Sequence, residues 1–275
     1  GGVNERMFRD AVAKVRRRHA SLGARIVADE DGTPYLTSEG AGETPVATVL
    51  RGSDDHWIRV VQESCQFPFE FEAQPANRFI LVQGATTSDV VILCHHILCD
   101  GLSLAYLARD LLVHLGDPAR DVAPLPDPIP IDSDNVPEGV SVNPVARFVI
   151  GRMNRKWAAE KVVFDQEDYR ALHRAYWMRY QHHVLCVELA EAQTTALVER
   201  CRRSGVTVNS ALAAAFVAAQ SIVQGEKPYH PSVGVAASLR DRLPRPPGEA
   251  MGFYAGLVRL KYRYQGGRSF WDNAR

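Results

Sequence analysis

The stretch from Val90 to Gly101 limits the fold more tightly than any other part of the chain. Val90-Val91-Ile92-Leu93-Cys94 is an apolar run of strand length, two adjacent histidines end it, and Asp100-Gly101 opens a segment of helical periodicity. An imidazole titrates near neutrality, so at the mouth of a strand it can take up a proton and return it within one cycle. Successive side chains of a strand face opposite ways, which predicts that His95 and His96 point apart and that only one serves as base. Asp100 can bond the imidazole or anchor the turn through an arginine, and both roles are open from the spacing. Gly101 permits close backbone approach and leaves an amide at the helix start, where a developing oxyanion finds a donor.

Other chemistries have weaker anchors. Cys94, His95, His96, Cys99 and Asp100 have the residue types of a transition-metal site, but alternating faces separate the neighbours and no second ligand cluster follows, so no metal is expected. Cys94 and Cys99 read as small buried hydrophobes. The pair His182-His183 lacks a following Asp-Gly and reads as surface. Neither G-x-S-x-G nor G-x-x-x-x-G-K-[ST] occurs, which leaves hydrolase and nucleotide-binding readings without support. Lys+Arg and Asp+Glu balance at 32 each, so there is no chain-wide field to attract nucleic acid or an anionic membrane. Five cysteines without C-x-x-C argue against a disulfide framework. The apolar run Ala211–Ala219 is too short to span a bilayer and the N-terminus has no signal-peptide pattern, so a cytoplasmic location is the expectation.

Taken in order, the chain predicts an amphipathic helix over 5–20 with Phe8, Ala11, Val12, Val15 and Leu22 inward, then a strand, turn and strand over 25–36. A loop rich in Gly, Glu and Thr leads to a short helix around Trp57–Ser64, capped by Ser53 or Asp54. Arg78–Val82 and Asp89–His95 are expected to form a hairpin. The helix after the motif has the apolar set Leu104, Leu107, Ala108, Leu111, Leu112 and Leu115, with Gly116 and Pro118 as stops. Seven of the sixteen prolines fall between Gly116 and Pro144, the composition of a connector. Further expectations are a helix over 148–164, a strand over Val184–Leu189, helices over Glu191–Arg203 and Ser210–Gln224, and strands over Ser232–Ala237 and Gly252–Lys261. Arg240, Arg242 and Arg245 lie in the loop between those last two strands. The sum is an α/β chain with mixed sheets flanked by helices.

His95-His96-Ile97-Leu98-Cys99-Asp100-Gly101 resembles the HHxxxDG signature of the chloramphenicol-acetyltransferase-like superfamily, which includes condensation domains of nonribosomal peptide synthetases, polyketide-associated acyltransferases, alcohol acetyltransferases and wax ester synthases. Arg18-His19-x-x-Leu22 resembles the RHxxLR segment, Phe69-Glu70-Phe71 through Arg78 resembles the approach to the motif, and Ser238-Leu239-Arg240 followed by Gly252-Phe253 resembles later positions, all in family order. The resemblance implies a two-lobed fold with the active site between lobes. It implies an acyltransferase moving an acyl group from a thioester, acyl-CoA or a phosphopantetheine-bound acyl group, to a small-molecule alcohol or amine acceptor. On that analogy His96 is the catalytic base, Asp100 pairs with Arg240 as structural support beside His95, and Gly101 and Ser238 bind substrate. No metal or redox cofactor is required, and an acyl carrier protein is the implied partner. Gly23 stands where the family has an arginine. The expected division is an N-terminal lobe over 1–116, a connector with a surface helix over 117–180, and part of a C-terminal lobe over 181–275, with the family fold incomplete at both ends as in a piece of a longer polypeptide. The alternative is a domain that keeps the fold for binding or carrier recruitment without catalysis.

Overall fold

The computed structural model describes residues 2–30, 33–132, 134–137, 144–160, 165–224 and 232–275. Its compact units do not follow chain order: Gly1–Val184 with Ser238–Ala255 form one, and Leu185–Ala237 with Gly256–Arg275 the other.

The first unit is built on a three-stranded sheet of order β3-β4-β5, from Val46–Leu50 (β3), Asn77–Gln83 (β4) and Asp89–Cys94 (β5). β4 pairs parallel with β3 and antiparallel with β5, Phe79 lying opposite Val46 on one side and Ile92 on the other. The central run Phe79-Ile80-Leu81-Val82 is buried on both faces, which is why it shows no polar alternation. Phe79 and Leu81 pack on Phe8, Val12 and Val15 of α1 (Glu5–Arg18) and on Leu107 and Leu111 of α3 (Gly101–Gly116). Ile80 and Val82 face Val60 and Trp57 of α2 (His56–Ser64). Gly84 turns the hairpin between β4 and β5, where a Cβ would stand 2.1 Å from the Thr87 carbonyl oxygen. β1 (Arg25–Ala28) and β2 (Pro34–Thr37) form a separate antiparallel pair.

β3 falls where the sequence reads as loop. Its five residues are too few to show a period, and its partner β4 is some thirty positions away, so only tertiary pairing reveals it. The apolar face expected of α3 is also corrected. Leu112 is exposed, whereas Ser103, Asp110 and His114 are buried beside Leu107, Leu111 and Leu115. Asp110 is inside because it accepts from Arg18 Nε at 2.6 Å, His19 Nε2 at 3.0 Å and Arg109 Nη2 at 2.7 Å. Glu249 pairs with the same two arginines. Arg18-His19 thus ties the end of α1 to α3.

α4 (Pro144–Glu160) and α5 (Gln166–Arg179) complete the first unit's helices; residues 161–164 of the expected 148–164 helix lie outside the described residues. Gln166 fixes α5 by bonding the Phe71 amide and the Phe69 carbonyl, and Arg170 pairs with Glu70.

The second unit holds α6 (Glu191–Arg203), α7 (Val208–Gln224), α8 (Phe270–Ala274) and the pair β6 (Ser232–Ser238) and β7 (Ala255–Lys261). α6 has the expected bounds with Cys201 buried, and Gly205 follows at φ +65°, a conformation glycine adopts without strain. Thr207 Oγ1 caps α7 through the Ser210 amide at 3.0 Å. The strand expected over Val184–Leu189 does not form. Among the described residues no strand pairs with it, and Leu185 and Val187 stand exposed. An alternating segment without a neighbour has no ladder to join.

Candidate active site

β5 ends at Cys94, so both histidines stand in the turn that follows rather than in the strand. The turn, not the pleat, separates them. His95 donates its amide to the Ala76 carbonyl at 2.9 Å and sets its ring edge-on to Phe69 and Phe71. Its Nδ1 accepts from the Ile97 amide at 3.2 Å, so Nε2 carries the proton of the neutral ring. Burial, with the neighbouring His96 adding to it, lowers the pKa of His95.

His96 is exposed, and its ring meets Phe253 edge-on with centroids 5.6 Å apart. Its Nδ1 lies 3.0 Å from the Cys99 carbonyl oxygen. A carbonyl oxygen only accepts, so Nδ1 holds the proton and donates it, and the lone pair of the neutral ring is on Nε2.

Asp100 is 3% exposed and is held from three directions. Its Oδ1 accepts from the Ser103 amide at 2.7 Å, which makes it the N-cap of α3, and from Arg240 Nη2 at 3.2 Å; its Oδ2 accepts from the Tyr254 amide at 3.0 Å. Burial alone would raise the carboxyl pKa. The hydrogen bonds from Ser103 and Tyr254 and the Arg240 charge outweigh it, and the net shift is downward. Arg240, 3% exposed, also donates to the Gly248 and Ala250 carbonyls at 2.8 and 3.0 Å and to Ser103 Oγ at 2.6 Å, with its guanidinium over the Tyr254 ring.

Ser103 escaped the sequence reading, although a serine three residues after a capping aspartate was a usable signal. Its Oγ donates to the Gly252 carbonyl at 2.9 Å and accepts from the Gly252 amide at 3.2 Å and from Arg240. The Asp100 amide donates to the same Gly252 carbonyl at 3.0 Å. Gly252 has no room for a side chain, since a Cβ there would stand 2.5 Å from the Tyr254 ring. These contacts hold Gly252–Tyr254, so β7 starts at Ala255 rather than at Gly252.

Gly101 is the first residue of α3, with open space where a Cβ would be. Ser238 Oγ accepts from the Arg240 amide at 3.3 Å. The structure therefore brings Asp100, Arg240 and Ser103 together, puts Ser238 beside Arg240 along the chain, and leaves His96 and Gly101 open at the two ends of the turn.

The condensation domain family model matches residues 1–115, and the model described as phthiocerol/phthiodiolone dimycocerosyl transferase C-terminus matches residues 180–256. Nonribosomal peptide synthetase kk1B of Curvularia clavata is 29% identical over 126 residues, covering 43% of this chain and 1% of that protein. Among solved structures, the first condensation domain of the calcium-dependent antibiotic synthetase aligns over 100% of this chain and 64% of its own, with TM-score 0.62 and 17% identity. The SgcC5 protein from Streptomyces globisporus aligns over 100% of this chain and 62% of its own, with TM-score 0.56 and 20% identity. The chain thus spans under two thirds of each solved relative and a small part of the synthetase. Two family matches in chain order, on a fold shared with condensation domains, fit the chloramphenicol-acetyltransferase-like superfamily.

Proposed function

We propose that the chain carries the catalytic turn of an acyltransferase that moves an acyl group from a thioester to an alcohol or amine, with His96 as general base. The observation that carries this reading is the tautomer of His96: Nδ1 is committed to the Cys99 carbonyl, and Nε2 is free to accept a proton on an exposed ring. Nε2 takes the proton of the acceptor as its oxygen or nitrogen attacks the thioester carbonyl. The tetrahedral intermediate then expels the thiolate, which recovers the proton from the imidazolium. The thioester is already activated, so a positioned base and a donor for the oxyanion suffice. The N-terminus of α3 supplies positive potential close by, and the missing Cβ of Gly101 leaves room there for substrate.

In this reading Asp100 and Arg240 hold the turn, His95 braces it against Phe69 and Phe71, and Ser238 lines the acceptor side. The donor is an acyl-CoA or a phosphopantetheine-bound acyl group, which makes an acyl carrier protein the natural partner and the cytoplasm the natural location. This reading keeps 1–116, 117–180 and 181–275 as the divisions along the chain, with residues 238–255 counted in the first compact unit.

The test uses the polypeptide that carries this chain, a series of acyl-CoA donors, and simple alcohols and amines, with thiol release and ester or amide formation both followed. His96→Ala is expected to lower turnover by about 10²–10⁴-fold. Near-normal turnover of the variant would overturn the mechanism, and donor binding without product in the unaltered protein would favour a recruiting domain instead.

A further inference from the structure

We propose that α4 is a membrane-surface helix that lies along an anionic lipid bilayer. Its large apolar side chains are almost all in solvent: Trp157 is 69% and Phe148 65% exposed, and Val149, Ile150 and Met153 are exposed or nearly so. At 3.6 residues per turn, Val149, Met153, Trp157 and Ile150 fall within one arc of about 100°, a stripe along a helix about 25 Å long. Arg147, Arg152 and Arg155 fall outside that arc, and none has an acidic partner among the described residues. Glu160, just beyond Trp157, is the helix's one acid.

Charge and shape together select the occupant. An apolar stripe ending in tryptophan, flanked by arginines long enough to reach back to the headgroups, fits the boundary between acyl chains and anionic phosphates. The interspersed arginines exclude a spanning helix, and no single described helix is long and apolar enough to cross a membrane. α5 lies close by in sequence and exposes Leu172, Tyr176 and Met178, yet Gln166 and Arg170 pin it to the 69–71 segment. The chain-wide balance of charge hides the patch, because residues 117–138 carry six acids against one arginine just before the helix begins.

The test is co-sedimentation of the chain with extruded vesicles of phosphatidylcholine alone and of equimolar phosphatidylcholine and phosphatidylglycerol, at low and at physiological salt. The chain is expected to pellet with the anionic vesicles, less so as salt rises, and to remain in solution with the neutral ones. Replacing Arg147, Arg152 and Arg155 together by Gln is expected to weaken partitioning about a hundredfold, at about fivefold per charge. Trp157→Ser should weaken it without changing the salt dependence. All four side chains are exposed, so circular dichroism of both variants should match the parent, and if one misfolds the other carries the test. No pelleting with anionic vesicles, equal pelleting with both kinds, or unchanged partitioning of the folded variants would overturn the proposal. So would a self-association that the same substitutions abolish, since α4 would then pack on a second copy.

Discussion

The two ends of the turn that follows β5 use the same chemistry of polar side chains in opposite ways. Asp100 is buried with both carboxylate oxygens occupied, by two amides and a guanidinium. His96, four residues earlier, is exposed and commits one ring nitrogen only. A buried charge must have every lone pair answered or the fold is penalised, whereas a base must keep one lone pair unanswered. The contrast says which end should govern stability and which should govern turnover, and substitutions at each end can break it.

The largest effect is expected at Arg240. Arg240→Met leaves the Asp100 charge buried and removes the anchor of Ser103 and of the 248–250 carbonyls, which should cost about 3–5 kcal/mol in urea unfolding. Pairing it with Asp100→Leu should return part of that loss, because neither charge is then left alone. Asp100→Asn is milder, since asparagine still caps α3 but cannot answer the guanidinium charge; about 2 kcal/mol is expected. If Arg240→Met changed the urea midpoint little, the closed end of the turn would be no more than a surface pair and the contrast would collapse.

A third, intermediate effect involves pH. Burial lowers the pKa of His19, whose bond to Asp110 opposes but does not reverse the shift, and burial likewise lowers those of His95 and His114. Each protonates less readily in the fold than in the unfolded chain, where the ordinary value is 6.5. Their contribution is therefore complete above pH 6.5 and is lost as the pH falls below it. Asp100 and Asp110 are depressed below the usual 3.8, so theirs is lost only at much lower pH. Thermal stability should accordingly decline in two stages, histidines first. His114 has no partner for either ring nitrogen among the described residues, so His114→Leu should raise stability by about 1 kcal/mol at neutral pH and flatten the first stage. A variant that melts lower than the parent would mean that the ring is answered.

The closed and open ends of the turn were not equally legible in the sequence. The strand, turn and helix over 89–116 show in the apolar run, in Asp100 as a cap and in Gly116 and Pro118, because each is a local signal. Asp110 and His114 look like the polar face of α3, and only Arg18, His19 and the packing of α1 explain why they are inside. β3 and Val184–Leu189 make the same point from opposite sides. The first is a strand because β4 lies beside it, and the second, more strand-like in pattern, has no neighbour and is not one. The exposure of α4 was equally hidden, since an apolar stripe reads as core until the surroundings are known.

The smallest expected change is at the open end, and it decides the comparison. His96 contributes one bond to the Cys99 carbonyl and an edge contact with Phe253, both at the surface, so His96→Ala should alter stability by no more than about 0.5 kcal/mol. The measurement is the urea midpoint, made on the same preparation used for turnover. A large loss of turnover with an unmoved midpoint would place His96 at the opposite pole from Arg240, where the fold suffers in proportion to the activity. A stability loss above about 1.5 kcal/mol would instead mean that the ring braces the turn. The drop in turnover would then no longer distinguish a missing base from a displaced one, and rescue by added imidazole would have to separate them.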